Sequence, residues 1–273
     1  MTIAKADFIE GMAKGLAVLE SFDTGRQRLN ATLAAQRAGI TRAAARRHLL
    51  TLAYLGYLES ADGYFWLSPK VLRFSGSYLA SARLPRVLQP TLNRLAAQTG
   101  QSFSAVVLDG DQVVIVARSV GFGGTAGRAA GPAGSAAPVL AYGLHLGARL
   151  PAHATSTGRM LLACLPKAEL ATWLKGSDPG VRRALPRLTP HTITDSKALR
   201  AVIEQARSQD HCVASEEHEI GVFALAVPLR NMAGQTVAAL NVVTSPERLK
   251  PEVMRADLLP LLMDAARELR PLL

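Results

Sequence analysis

Several features are scarce in this 273-residue chain, and each scarcity argues against a class of protein. There are two cysteines, Cys164 and Cys212, with no CxxC pair and no histidines at ligand spacing. A zinc site or a disulfide framework is therefore not expected, and no cofactor is implied. Long apolar runs are missing: Phe223 to Val227 and Val237 to Val243 are strand-sized, far short of the roughly 20 residues a bilayer span needs. The N-terminus lacks the basic flank, apolar stretch and cleavage site of a signal peptide, because Asp7 and Glu10 interrupt it. A cytoplasmic protein without a membrane partner is the expectation. Acidic residues are absent from Thr24 to Tyr57, while Arg26, Arg28, Arg37, Arg42, Arg46 and Arg47 fall in that interval. A phosphate-binding surface tolerates no clustered carboxylates, so this gap marks the first candidate site.

The formal charge of +10 favours a polyanionic partner, nucleic acid or an anionic surface. The length suits a small module joined to a larger one, and 49% hydrophobic residues suffice for a core in each.

From Phe8 to Phe22 the residues Phe8, Ile9, Met12, Leu16, Leu19 and Phe22 recur at helical steps, which predicts a helix that buries that face. A second helix spans Leu29 to Ala38, capped by Asn30 and stopped by Gly39, and Thr41 opens a third that runs to Leu55. On the third helix Ala45, His48, Leu49 and Leu52 turn inward, whereas Ala43, Arg46 and Arg47 turn outward with Arg42 at the edge. This suits a recognition helix, whose first turns enter the major groove and whose arginines grip guanine or phosphate. Taken alone, such a cluster is equally a solvated helix face. Tyr57 to Leu67 then reads as a hairpin across Asp62-Gly63, placed where a wing belongs.

These blocks, GLAVLESF (Gly15 to Phe22) and LNATLAAQRAGITRAAARRHLLTLAYLGYL (Leu29 to Leu58), resemble the IclR family of regulators, most closely the branch controlling catabolism of protocatechuate and 4-hydroxybenzoate. The resemblance continues through the second domain. Many members carry Ser or Thr where this chain has Ala43 and Ala44, which shifts base reading to Thr41, Arg42, Arg46 and Arg47. It also implies a linker helix over Pro69 to Ala82, and Pro85 and Pro90 punctuate the chain after it.

Beyond the linker, Thr91 to Thr99 is helical by period and Gly100 ends it. Phe103 to Leu108 and Gln112 to Ala117 form a hairpin around Asp109-Gly110, and Val139 to Leu146 reads as a strand. The Gly- and Ala-rich stretch from Gly121 to Pro138 reads as a loop, and its GFGGTAG has neither the GK[ST] ending of a P-loop nor GxGxxG spacing. Thr155, Ser156 and Thr157 precede a helix over Arg159 to Leu165, where free N–H groups and hydroxyls suit an anion, unless they merely cap the helix. A capped helix comes next over Asp195 to Ser208, then strands Cys212 to Ser215, Phe223 to Leu229 and Thr236 to Val243. The resemblance implies that the effector pocket falls on Ser156, Thr157, Ala214, Ala224, Asn241 and Val243, with Thr155 beside them. Ala214 and Ala224 stand where some members have an acid or a thiol, leaving smaller walls and room for a flat aromatic carboxylate.

An enzyme is the competing reading. Ala154-Thr-Ser-Thr-Gly158 lacks the first glycine of a GxSxG elbow, and Glu216, Glu217 and Glu219 read as solvated surface carboxylates. The expected architecture is α+β: a winged helix-turn-helix over 1–68, a linker helix over 69–85 and an effector-binding domain over 86–273 with a curved antiparallel sheet. The expected function is ligand-responsive regulation of transcription. Its partners would be operator DNA, a small aromatic carboxylate and a second copy of the chain. The alternatives are the same build sensing a keto or hydroxy acid, and a metabolite-processing enzyme tethered to DNA.

Overall fold

The computed structural model describes residues 3–23, 25–119, 145–176, 183, 185–245 and 251–273. Contacts divide the chain into two units, Met1–Ser81 and Ala82–Leu273.

In the first unit, short polar side chains start the helices by taking up N–H groups that have no partner within the helix. The Asn30 side-chain oxygen accepts from the N–H groups of Thr32 and Leu33 at 3.1 and 3.0 Å, and Thr41 Oγ1 accepts from Ala44 at 3.2 Å. They open α2 (Ala31–Ala38) and α3 (Arg42–Tyr54). Gly39, at φ +65°, ends α2 in the left-handed region. With α1 (Glu10–Glu20), these helices bury Val18, Phe22, Leu29, Ala34, Ala45 and Leu49. The wing strands β1 (Leu58–Ala61) and β2 (Tyr64–Leu67) meet across Asp62 and Gly63, whose φ values of +52° and +76° are both positive, as a type I′ turn requires. Leu29 exchanges backbone hydrogen bonds with Phe65, which ties the entry to α2 onto the wing.

One expectation fails here. Phe8, Ile9, Met12 and Leu16 were to face the core, yet they are 51%, 68%, 65% and 52% exposed. Helix α2 has eight residues, about 12 Å of cover. Helix α1 passes α3 near Gly15, where an added Cβ would lie 3.6 Å from His48 Nδ1. Phe8 and Ile9 precede α1, and the small core buries only Val18 of the helix itself. A 3₁₀ turn (Pro69–Val71) leads to α4 (Leu72–Ser81), which exposes Leu72, Phe74, Tyr78 and Leu79.

The second unit opens with α5 (Arg83–Thr99), which runs through both prolines expected to break the chain. Pro85 lies in the first turn, where its N–H would be unbonded in any case. Pro90 forfeits one intrahelical bond, and burial of Leu88, Leu92, Leu95 and Ala96 outweighs that loss. Strands β3 (Ser102–Asp109) and β4 (Gln112–Ser119) pair around Gly110-Asp111, one residue beyond the expected turn centre. Only Gly110 has positive φ there, the pattern of a II′ turn. The expected strand at Val139 to Leu146 lies outside the described residues except for His145 and Leu146, which are not in a strand. The loop expected over Gly121 to Pro138 is outside them entirely.

Strands β5 (Arg149–Pro151), β6 (Cys212–Ser215), β7 (Phe223–Arg230) and β8 (Thr236–Thr244) complete a six-stranded antiparallel sheet in the order β5-β4-β3-β8-β7-β6. Bulges at Ala105/Val106 and Leu229/Arg230 help it curl. Helix α6 (Ser156–Cys164) starts three residues earlier than expected, and α7 (Lys167–Lys175), which had no counterpart in the sequence pattern, buries Leu170, Trp173 and Leu174. Asp195 caps α8 (Ser196–Gln209) by accepting from Ala198 N–H at 2.8 Å. The short helix α9 (Pro251–Val253), a π-helical turn (Met254–Leu258) and α10 (Leu259–Leu269) end the chain.

The two sheet faces differ in bulk. Toward α5 and α10 point Phe103, Leu225, Val227, Leu229, Leu240 and Val242. Toward α6 and α8, β7 and β8 present the small Ala226 and Ala239, while β3 and β4 present Val106, Val113 and Ile115. Replacing Asn30 with Ala should lower the stability of the first unit by about 1 kcal/mol through loss of two capping bonds, read by urea denaturation.

Candidate DNA-contacting surface and effector cavity

On α3, Arg42, Ala43, Arg46 and Arg47 are exposed while Ala45 and Leu49 are fully buried. Three guanidinium groups therefore project from the first half of the helix, free of carboxylate partners among the described residues. Thr41 is committed as the cap, so its oxygen already accepts a bond. Arg28 stacks on the wing, its guanidinium 4.5 Å from the centre of the Trp66 ring, while Trp66 Nε1 donates to Glu59 at 2.9 Å. Arg26 is exposed, its N–H donating to Asp23 Oδ1 at 2.7 Å. Arg37 pairs with Asp23. The residues that the sequence pattern singles out thus lie on one small unit, with Arg28 held by a ring.

The second site is a cavity of about 130 Å³ beneath the start of α6. Its floor is set by strand register: Ala214, Ala224 and Val243 are directly paired across β6, β7 and β8, and Asn241 is paired with Ser104 of β3. Alanine at these positions leaves space that larger side chains would fill. Ser104 Oγ donates to the Asn241 side-chain oxygen at 2.6 Å, anchoring that amide. Thr155, Ser156, Thr157, Ala214, Ala224, Asn241 and Val243 all line this one cavity, with Leu150, Ala154, Glu217, His218, Glu219 and Val222 completing the wall.

Thr155 caps α6, its Oγ1 accepting from Gly158 N–H at 3.1 Å and donating to the Pro151 carbonyl at 3.3 Å. Ser156 and Thr157 then fall in the first turn, fully inside the protein. Ser156 Oγ is buried with no hydrogen-bond partner, the single such side-chain atom among the described residues. A buried hydroxyl left so is unfavourable unless something polar arrives. Close approach sets the position of this turn: a Cβ on Gly158 would sit 2.2 Å from the Ala152 carbonyl oxygen.

Glu217 corrects an expectation. Instead of a solvated carboxylate it is buried, held by both terminal nitrogens of Arg159 and by the Ile193 N–H at 3.1 Å. Arg159 itself is 1% exposed and donates through Nε to the His153 carbonyl at 2.7 Å. The signal was a lone arginine within an apolar helix and an acidic run between two strands. His153 donates through Nε2 to the Pro186 carbonyl at 3.0 Å, and burial, aided by the Arg159 charge, pushes its pKa down. Burial also lowers the pKa of His218, against the opposing pull of Glu219. Burial pushes the Cys212 thiol up to about 12, so it stays protonated. Both cysteines are free, and no metal-binding cluster occurs among the described residues. No helix among those residues is long and apolar enough to cross a membrane.

Comparison with known proteins decides the family. The profile described as Bacterial transcriptional regulator IclR C-terminal matches residues 76–270, and that described as IclR helix-turn-helix domain matches residues 11–62. The chain belongs to the IclR family. It is 48% identical over 270 residues to the p-hydroxybenzoate hydroxylase transcriptional activator of Acinetobacter baylyi, spanning 99% of this chain and 94% of that protein. It is also 48% identical to the Pca operon regulatory protein of the same organism, spanning 99% and 91%. Among solved structures, a double mutant of the inducer-binding domain of PobR from Acinetobacter, in complex with 3-hydroxybenzoic acid, is 43% identical with a TM-score of 0.59. That likeness covers 69% of this chain and 98% of that one. This IclR-family chain is accordingly a DNA-binding transcriptional regulator and not an enzyme.

Because the α6 turn touches the Ala152 backbone, Gly158→Ala should destabilise the second unit by roughly 1–3 kcal/mol and reshape the cavity, measured by thermal unfolding alongside ligand titration.

Proposed function

We propose that this regulator responds to a monocyclic aromatic carboxylate bound beneath α6 and that α3 reads the operator. The observation that carries the effector reading is the buried, unpartnered Ser156 hydroxyl in a small cavity with largely apolar walls. A helix N-terminus concentrates partial positive charge, and Ser156 and Thr157 add hydroxyl donors, so a carboxylate is suited to that end. Size sets the remainder of the ligand: a cavity of roughly 150 Å³ is known to take benzene, so about 130 Å³ suits one ring and little more. Arg159 neutralises Glu217, which removes one repulsion that an anionic ligand would meet. The similarity to a hydroxybenzoate-linked activator and to a 3-hydroxybenzoate complex supports the same class.

For DNA, the exposed Arg42, Arg46 and Arg47 project from the half of α3 that would enter the major groove, with Ala43 against the base edges and Thr41 as cap. Arg26 and Arg28 flank it beside the wing and suit phosphate contacts. The chain acts as a dimer or a dimer of dimers on a partly palindromic operator. The exposed apolar residues of α1 and α4 support self-association through the first unit, since such surface seldom stays in water. The domain limits are 1–68, 69–85 and 86–273, with α4 inside the linker.

Calorimetric titration against benzoate, 3-hydroxybenzoate, 4-hydroxybenzoate, protocatechuate and short keto acids tests the effector reading. Binding of the benzoates is expected, and binding of the keto acids alone would overturn it. Arg47→Ala should weaken operator affinity by about 1–3 kcal/mol if the guanidinium meets a base, read by fluorescence anisotropy at fixed salt. Unchanged affinity would exclude this docking.

A further inference from the structure

His218 is the polar group of the cavity whose task is otherwise unaccounted for. It lies in the turn between β6 and β7 and lines the cavity wall beside Glu219. Neither ring nitrogen has a hydrogen-bond partner among the described residues. Its polar neighbours are largely committed. Thr155 caps α6, the Glu217 carboxylate is held by Arg159 and the Ile193 N–H, and the Asn241 oxygen accepts from Ser104.

The cavity is electrically uneven. At the start of α6 it offers hydroxyl donors and the positive end of a helix. On the 217–219 turn it offers an imidazole and the Glu219 carboxylate. A ligand carboxylate is drawn to the first wall and repelled by Glu219 at the second. The second wall instead suits a neutral group that donates a hydrogen bond. An uncharged imidazole has one N–H and one lone pair, so it can accept from a hydroxyl. Burial keeps the ring in that uncharged form near neutral pH.

We propose that His218 reads a ring hydroxyl on the effector, so that the cavity selects hydroxybenzoates over benzoate and orients them with the carboxylate against α6. This rests on the reading of the cavity as an aromatic-carboxylate pocket. Where the hydroxyl is missing, the bound ring covers the half-buried imidazole without giving it a partner, which disfavours the complex by roughly tenfold or more. A benzene dicarboxylate places a second charge beside Glu219 and is rejected.

Titration calorimetry on the full chain tests this with 4-hydroxybenzoate, 3-hydroxybenzoate, benzoate, 4-fluorobenzoate and terephthalate. The wild-type chain should prefer at least one hydroxybenzoate over both benzoate and 4-fluorobenzoate, which is of similar size but has no O–H, by about tenfold. Equal affinities would overturn the proposal, and this arm depends on no variant folding. In His218→Leu the ratio of hydroxybenzoate to benzoate affinity should fall toward unity, while His218→Gln, whose amide oxygen accepts, should restore most of it. A ratio that survives in His218→Leu would overturn the role of this residue while leaving the pocket assignment intact. Failure of the wild-type chain to bind any benzoate would instead remove the pocket reading, and the His218 proposal with it.

Discussion

The pairing of Arg159 with Glu217 inside the second unit is the interaction on which the cavity beneath α6, the candidate effector site, depends. The guanidinium binds both carboxylate oxygens and, through Nε, the His153 carbonyl, while Glu217 also holds the Ile193 N–H. The Glu217 carbonyl accepts from the Thr192 hydroxyl at 2.6 Å, and Thr189 donates to the neighbouring Glu216 carbonyl at the same distance. One ion pair thus joins the start of α6, the turn after β6 and the segment before α8. Removing either partner would leave a charge buried without compensation, about 3–5 kcal/mol unfavourable in proteins generally. The same pair would make that wall tolerable to the proposed anionic effector, because one of its carboxylates, Glu217, is already neutralised.

The cavity and the candidate DNA-contacting surface obey opposite rules. In the cavity, small side chains at paired positions of three strands leave space, and a hydroxyl is buried without a partner at its edge. On α3, alternation of buried Ala45 and Leu49 with exposed Arg46 and Arg47 fixes the helix in its unit and turns charge outward. Each leaves polar groups unsatisfied within the chain, and each is where the proposed effector or operator would supply the missing partner.

Legibility in the sequence tracked the range of the interactions. Asn30, Thr41 and Asp195 each satisfy an N–H two or three residues away, so those helix starts could be read directly, whereas the start of α6 was expected three residues too late. Asp62-Gly63 was legible for the same reason. Helix α5 was not, because its passage through Pro90 depends on a core assembled from distant strands. Periodicity extended the first helix back to Phe8, whereas α1 begins at Glu10, and it could not say whether a partner covers Met12 and Leu16. Strand β5 spans only Arg149–Pro151, too short to carry a pattern, and exists through its pairing with β4.

The sequence by itself determined the winged helix-turn-helix, the order of most elements and, through its resemblance, the IclR family. Those properties rest on caps, turns and periodicities satisfied within a few residues. Only the tertiary structure decided that Glu217 is buried against Arg159, 58 residues away, that His218 faces the cavity and that Ser156 is left unpartnered. Empty space and an unsatisfied hydroxyl are properties of how remote segments pack, and no local pattern of side chains records them.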